Sequence, residues 1–159
     1  MDRIYAPWRS KYFSIEKGSG CLFCEIQKAD DREVGILKRG EHWFVILNSY
    51  PYTSGHVMVV ANRHIDALNE MGEEEGKELV ELLKLCERAI EEAYKPNGIN
   101  VGVNRGSSAG AGIVGHLHFH VVPRWEGDTN FMTSVAETRV VSESLEDSYS
   151  KLISYFEKS

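Results

Sequence analysis

His116-Leu117-His118-Phe119-His120-Val121-Val122 alternates imidazoles with apolar side chains before two consecutive valines. Successive side chains of a β-strand point to opposite faces. Read as a strand, this stretch puts all three histidines on one face, roughly 6–7 Å apart, and Leu117, Phe119 and Val121 on the other. The second face is a core face and the first a polar ridge. Pro123 closes the strand, and a glycine-rich loop, Gly106 to Gly115, precedes it. Packing has no use for three imidazoles on one strand face, so the ridge is a candidate site. The competing readings are a metal-binding histidine cluster and a surface accident.

Working outward, Ile99 to Val103 reads as the strand before that loop. Glu73 to Tyr94 is the strongest helix: Leu79, Leu82, Leu83, Cys86, Ile90 and Ala93 recur at three- and four-residue spacing. Acidic residues crowd its first turn, where the helix dipole favours them, and Lys95-Pro96-Asn97-Gly98 stops it. Upstream, Ile36 to Lys38, Trp43 to Leu47 and Val57 to Ala61 read as strands, with the turn-rich Asn48 to Gly55 between the last two. Leu145, Tyr149, Leu152, Ile153 and Phe156 fit a final helix. The first 20 residues form an aromatic, irregular arm (Tyr5, Trp8, Tyr12, Phe13), broken by Gly18 and Gly20. Strands, helix, strands, helix with short connections predicts an α+β fold. The expected architecture is a five-stranded antiparallel sheet, one long helix and a C-terminal helix. One domain spans 1–159, with an arm over 1–20 and a C-terminal extension over 133–159.

Composition agrees with one domain. The chain has 159 residues, 42% hydrophobic and 26% charged, with a formal net charge of −6. That length supports a real core without disulfide staples. The acidic balance speaks against non-specific nucleic-acid binding, which needs a basic patch. A small phosphate ligand stays open, because a few local donors outweigh a diffuse negative surface. No apolar run reaches the roughly 18 residues of a membrane span, and Met1 to Lys11 lacks the apolar core of a signal peptide. The cytosol is the expected compartment. Three cysteines are present, and Cys21 and Cys24 form a C-x-x-C, which in such a chain reads as metal or redox chemistry. Cys86 lies on the apolar helix face and reads as core.

The run from His116 to Val122 resembles the signature of the histidine triad superfamily of nucleotidyl hydrolases and transferases. Asn48 to Val60 is similar to that family's first nucleotide-binding strand pair, and Ile99 to Asn104 to the strand before the triad. The segment Val122-Pro123-Arg124-Trp125, followed by Gly127 to Met132, resembles the diadenosine tetraphosphate phosphorylase-like branch. The resemblance implies that His118 attacks the α-phosphorus of a nucleotide and carries it as a covalent nucleotidyl-histidine. Imidazole suits that role, being largely neutral near pH 7 with a nitrogen lone pair. Its other ring N–H then needs a holder, for which a nearby backbone carbonyl is expected. His120 would contact a phosphoryl oxygen or the leaving group, and His56 would complete the cluster. His56 also reads as a satisfied strand-edge histidine.

The resemblance further implies that Asn48 binds ribose hydroxyls and that Asn104 lies near the scissile phosphate. Against these stand a turn-forming role for Asn48 and a strand-ending role for Asn104. The loop Gly106 to Gly115 can bring backbone N–H groups to phosphates. Here the chain departs from its relatives: Gly112 stands where many have Gln or Ser, and Gly115 replaces a larger residue. Some triad proteins with an N-terminal C-x-x-C complete a structural zinc site with two histidines, which here are His64 and His116, with His42 competing for the place of His64. An empty thiol pair and a redox couple are the alternatives. Trp125 and Phe131 read as base-stacking or packing residues, and Arg124 as a phosphate partner or a surface residue.

The ligand implied is an adenine nucleotide or a dinucleoside polyphosphate, with phosphorolysis and hydrolysis both open. A homodimer is implied by the resemblance alone. The alternatives are a nucleoside phosphoramidase and a non-catalytic, zinc-stabilised nucleotide-binding module.

Overall fold

Trp43–Leu47 (β2) and Val57–Ala61 (β3) are buried along their whole length in the computed structural model, which describes residues 20–136 and 140–158. The aromatic residues Tyr5, Trp8, Tyr12 and Phe13 lie outside the described residues. A strand covered on both faces buries every side chain rather than alternate ones. β2 and β3 pair antiparallel from Trp43 opposite Ala61 to Leu47 opposite Val57. β1 (Ile36–Arg39) adds to β2 at one edge; β5 (His118–Arg124) adds to β3, and β4 (Gly98–Val103) forms the far edge. All neighbours are antiparallel, in the order β1-β2-β3-β5-β4. The expected five-stranded α+β fold is therefore present.

One boundary differs. The strand expected over 116–122 runs from His118 to Arg124. His116 and Leu117 precede it, although Leu117 still exchanges backbone bonds with Ile65 and Ala61. Pro123 does not end the strand; it lies opposite Ile99. Its neighbour Arg124 accepts from Asn97 N–H on the β4 side, so the missing donor of Pro123 faces the other flank. There β3 has already ended, and the Pro123 carbonyl accepts from the Thr53 hydroxyl instead (2.8 Å).

Helix α3 runs Glu73–Tyr94 and buries Leu79, Leu82, Leu85, Cys86, Ala89 and Ile90 in one stripe. The stripe packs on the sheet face made by Trp43, Val45, Leu47, Val57, Val59 and Val121, joined by Leu152 and Phe156 of the C-terminal helix Leu145–Glu157. Leu85 and Ala89 complete the stripe, and Leu83 and Ala93 are only partly buried against it. Cys86 is core, 0% exposed. The opposite sheet face packs Phe44, Ile46, Met58 and Val60 against Phe23 and Ile26 of α1 (Leu22–Ile26) and Val34 of α2 (Asp31–Val34).

These two helices were not expected. At five and four residues they are too short to display a 3.6-residue period. The local signal for α2 is its capping. The Asp30 carboxylate accepts from the N–H groups of Arg32 and Glu33, and Gly35 closes the helix at φ 83°. A third short helix, α4 (Phe131–Ser134), is capped by Asn130 in the same way, so Leu145–Glu157 is α5.

The start of α3 is tied to the sheet. Glu75 accepts from the Gly72 N–H (2.6 Å) and from Arg63 (2.9 Å), and its carbonyl accepts from the Trp43 indole (2.9 Å). The Arg63 guanidinium, followed by the Gly72 N–H, brings the Glu75 carboxyl down from its ordinary 4.5 to about 2. Between those values the unfolded chain binds the proton that the folded chain refuses, so this contribution is complete above pH 4.5 and is lost as pH falls toward 2. In Tm measured against pH, Glu75→Gln is expected to lie below wild type at neutral pH and to converge with it near the bottom of that window.

Candidate active site and metal cluster

β5 is hydrogen-bonded to β3 on one side and β4 on the other, with His118 opposite Val60 and His120 opposite Met58 and Gly102. This fixes the pleat. Leu117 and Val121 enter the helix-side core while His118 and His120 face the α1 side, their ring centroids 5.1 Å apart. The ridge is buried rather than solvent-facing: His116, His118 and His120 are 2%, 3% and 9% exposed. Phe23 of α1 covers it, 5.4 Å from the His116 ring and 5.1 Å from the His118 ring.

The hydrogen bonds dictate the tautomers. His118 Nδ1–H donates to the His116 carbonyl (2.7 Å), the backbone holder expected from the sequence. The lone pair of His118 therefore sits on Nε2. Burial holds this imidazole below its usual pKa, so it is neutral near pH 7. His56 follows Gly55, whose φ of 78° turns the chain sharply into β3. Tyr52 N–H donates to His56 Nδ1 (3.1 Å), so His56 carries its proton on Nε2 and donates it to His120 Nδ1 (3.0 Å). His120 is left with Nε2–H. Burial first, then the neighbouring His118, pushes the His120 pKa down to about 4. The Tyr52 ring packs on both, 4.6 Å from His56 and 5.8 Å from His120. A lone pair on His118 and an N–H on His120 thus stand side by side, with no protein partner among the described residues.

Asn48 is buried beside this pair. Its Oδ1 accepts from Tyr50 N–H (2.9 Å), the turn role read as the alternative, and its Nδ2 lies 3.4 Å from His56 Nε2. Asn104 sits just past β4 with no side-chain partner among the described residues. In the glycine-rich loop the amides of Ala109, Gly110 and Ala111 bond back to Gly106 and Ser107. Those of Gly112, Ile113, Val114 and Gly115 have no acceptor among the described residues, which leaves donors free for an anion.

The second cluster unites Cys21, Cys24, His64 and His116, whose ligand atoms lie within 4.8 Å of one another. Sγ of Cys21 is 3.2 Å from His116 Nδ1; Sγ of Cys24 is 3.5 Å from His64 Nδ1 and 3.6 Å from His116 Nδ1. With metal–ligand bonds of about 2.0–2.3 Å, the edges of a tetrahedral zinc site are roughly 3.3–3.8 Å, so the donor set fits. His116 Nε2–H donates to the Ala61 carbonyl (2.7 Å), which leaves Nδ1 as the lone pair facing the sulfurs. Burial first, then the neighbouring Cys21, pushes the Cys24 thiol up. His42 is not part of the cluster; its N–H donates to Glu78.

Three further residues have defined places. Arg124 bonds Asp128 (2.6 Å) and Asn100 (2.7 Å). Trp125 packs edge-on against Tyr94, and Phe131 is exposed. The sequence reading missed Phe23 and Tyr52. For Phe23 the one available signal was its place inside the C-x-x-C; Tyr52 carried none.

The fold and the paired histidines define a histidine triad domain. The HIT domain family model matches residues 33–127. The chain is 35% identical over 156 residues to the AP-4-A phosphorylase of Mycobacterium tuberculosis, covering 92% of this chain and 80% of that protein. A solved Zn-bound histidine triad family protein from Mycobacterium smegmatis superposes with a TM-score of 0.69 at 26% identity, covering 87% of this chain and 94% of that one. A uridylyltransferase mutant, at 19% identity and a TM-score of 0.72, covers 96% of this chain and 52% of that one and shares the fold alone. The chain belongs to the histidine triad family. Among the described residues no helix is long and apolar enough to cross a membrane.

The tautomers can be read by ¹⁵N NMR, which is expected to place the proton on Nδ1 of His118 and on Nε2 of His56 and His120. His120 is expected to titrate near pH 4 rather than at its usual 6.5. Because its folded pKa is the lower one, its contribution to stability is full above 6.5 and is lost as pH falls toward 4. A midpoint near 6.5 would contradict the buried relay.

Proposed function

We propose that the protein is a nucleotidyl transferase acting on dinucleoside polyphosphates of the diadenosine tetraphosphate type. The reading rests above all on His118, whose Nδ1–H is held by the His116 carbonyl so that the lone pair sits on Nε2, which has no partner among the described residues. Nε2 attacks the α-phosphorus, forming an N–P bond. The P–O bond to the remaining polyphosphate breaks, and its electron pair leaves with that oxygen. His120 Nε2–H donates to the phosphoryl or leaving oxygen as charge develops, with His56 fixing its tautomer. One such donor accounts for about 10²–10³-fold in rate.

In the second step phosphate or water attacks the same phosphorus, the P–N bond breaks and His118 is regenerated. The relative described as an AP-4-A phosphorylase favours phosphate as acceptor. In this reading Asn48 contacts the ribose, while Asn104 and the amides from Gly112 onward take the phosphate chain.

The same reading assigns Cys21, Cys24, His64 and His116 to a structural zinc. A closed two-cysteine, two-histidine set leaves no open coordination position, so the metal would hold the chain together and take no part in the chemistry. A homodimer in the cytosol, with one domain spanning 1–159, completes the proposal.

Adduct trapping, product analysis and metal content test it. Labelled diadenosine tetraphosphate should leave an acid-labile nucleotidyl group on wild type and none on His118→Ala. Product analysis with inorganic phosphate present should give ADP and ATP, and without it AMP and ATP. An adduct on His118→Ala, or turnover within about tenfold of wild type, a loss of only ~1.4 kcal/mol, would overturn the assignment. The purified protein should carry about one zinc per chain. Cys24→Ser should lose it and melt at a lower temperature while keeping some activity.

A further inference from the structure

Tyr94 closes α3 on the far side of the Gly55 turn from the histidines. Its ring lies directly on the Gly55 backbone: a Cβ at Gly55 would fall 2.7 Å from Cε2, 2.9 Å from Cζ and 3.1 Å from Cδ2 of Tyr94. That turn delivers His56. From the other direction it is pinned by Tyr52 N–H on His56 Nδ1 and by the Thr53 hydroxyl on the Pro123 carbonyl. The ring of Tyr94 is thus the wall against which the turn is set.

The wall is itself held from the C-terminal segment. The Tyr94 hydroxyl donates to Glu143 Oε2 (2.6 Å), which also accepts from the Ser148 hydroxyl (2.8 Å), while Lys151 pairs with the other carboxylate oxygen. The Lys151 ammonium stands 4.8 Å over the Tyr94 ring, and Trp125 meets that ring edge-on at 6.3 Å. Tyr94 also borders an open cavity of about 730 Å³, lined in part by Ser54, Trp125, Ser142 and Asp147. The ring thus has the Gly55 backbone against it and borders open space, and the bond to Glu143 ties its hydroxyl to the C-terminal segment.

We infer that Tyr94, anchored by Glu143, is the positioning residue for His56 and, through His56, for the Nε2–H that His120 presents. Without the wall the Gly55 turn can relax, Tyr52 N–H no longer fixes Nδ1 of His56, and His120 loses the donor that selects its tautomer. The C-terminal segment thereby acts on the site without touching the substrate. The kinetic part of this inference rests on the nucleotidyl-transfer reading; the tautomer part does not.

The test uses the full-length chain with Tyr94→Leu, Tyr94→Phe and Glu143→Ala. Tyr94→Leu is expected to lower kcat for diadenosine tetraphosphate by about 10- to 100-fold, the range for a small displacement of a catalytic group, with KM within about twofold. Its His120 ¹⁵N signals should change from one Nε2–H tautomer to a mixture. Tyr94→Phe keeps the ring but loses its bond to Glu143, so its kcat and its His120 tautomer mixture should fall between those of Tyr94→Leu and wild type and match those of Glu143→Ala. Glu143→Ala is expected to resemble Tyr94→Leu in milder form and serves if that variant fails to fold. A lower Tm with unchanged kcat and an unchanged His120 tautomer in both would overturn the inference. If wild type proves inactive on every dinucleoside polyphosphate, the functional reading fails, and the tautomer comparison still decides the role of Tyr94.

Discussion

Strand β5 is paired on both flanks and covered on both faces, and this double confinement sets everything else in the site. A slip of one residue would exchange its two faces. It would drive imidazoles into the helix-side core and strand Leu117 and Val121, now 3% and 0% exposed, on the polar side. Each such apolar side chain contributes ~1.5–3 kcal/mol by being buried. The helix-side core therefore holds the register, and the histidines inherit their positions from packing that takes no part in their chemistry.

A similar division of labour governs the α1 side. Cys21 and Cys24 flank Phe23, so the turn that brings two sulfurs to His64 and His116 also lays a ring over His116 and His118. His116 belongs to both arrangements. Its ring faces the cysteines while its carbonyl accepts the hydrogen bond of His118 Nδ1–H. The Cys21–His116 contact joins residues 95 positions apart, closing α1 onto a strand whose position the sheet has already settled.

Much of this was legible in the residues. β2, β3 and α3 announce themselves by apolar runs and by three- and four-residue spacing. The alternation over 116–120 placed the histidines on one face although the strand itself begins at His118. That Cys21, Cys24, His64 and His116 come together was legible only through resemblance, since nothing local distinguishes His64 from His42. The short helices α1 and α2 were hidden because helices of that length have no period. Burial of the imidazoles, and the contacts of Phe23, Tyr52 and Tyr94, were also hidden. Each depends on a partner far away in the chain, or on a turn whose shape is set by packing rather than by composition.

The partner of His118 Nδ1–H is a main-chain carbonyl, not a side chain. Point mutation can erase His56 and with it the donor that selects the tautomer of His120, but no replacement at position 116 removes an oxygen that every amino acid carries. The orientation of His118 is thus shielded from drift in its neighbours, and the means of disturbing it is a change in chain length, an insertion or deletion that alters the path of the strand. Where substitutions alone accumulate, the groups around His118 can be lost one by one while the central imidazole keeps presenting the same nitrogen.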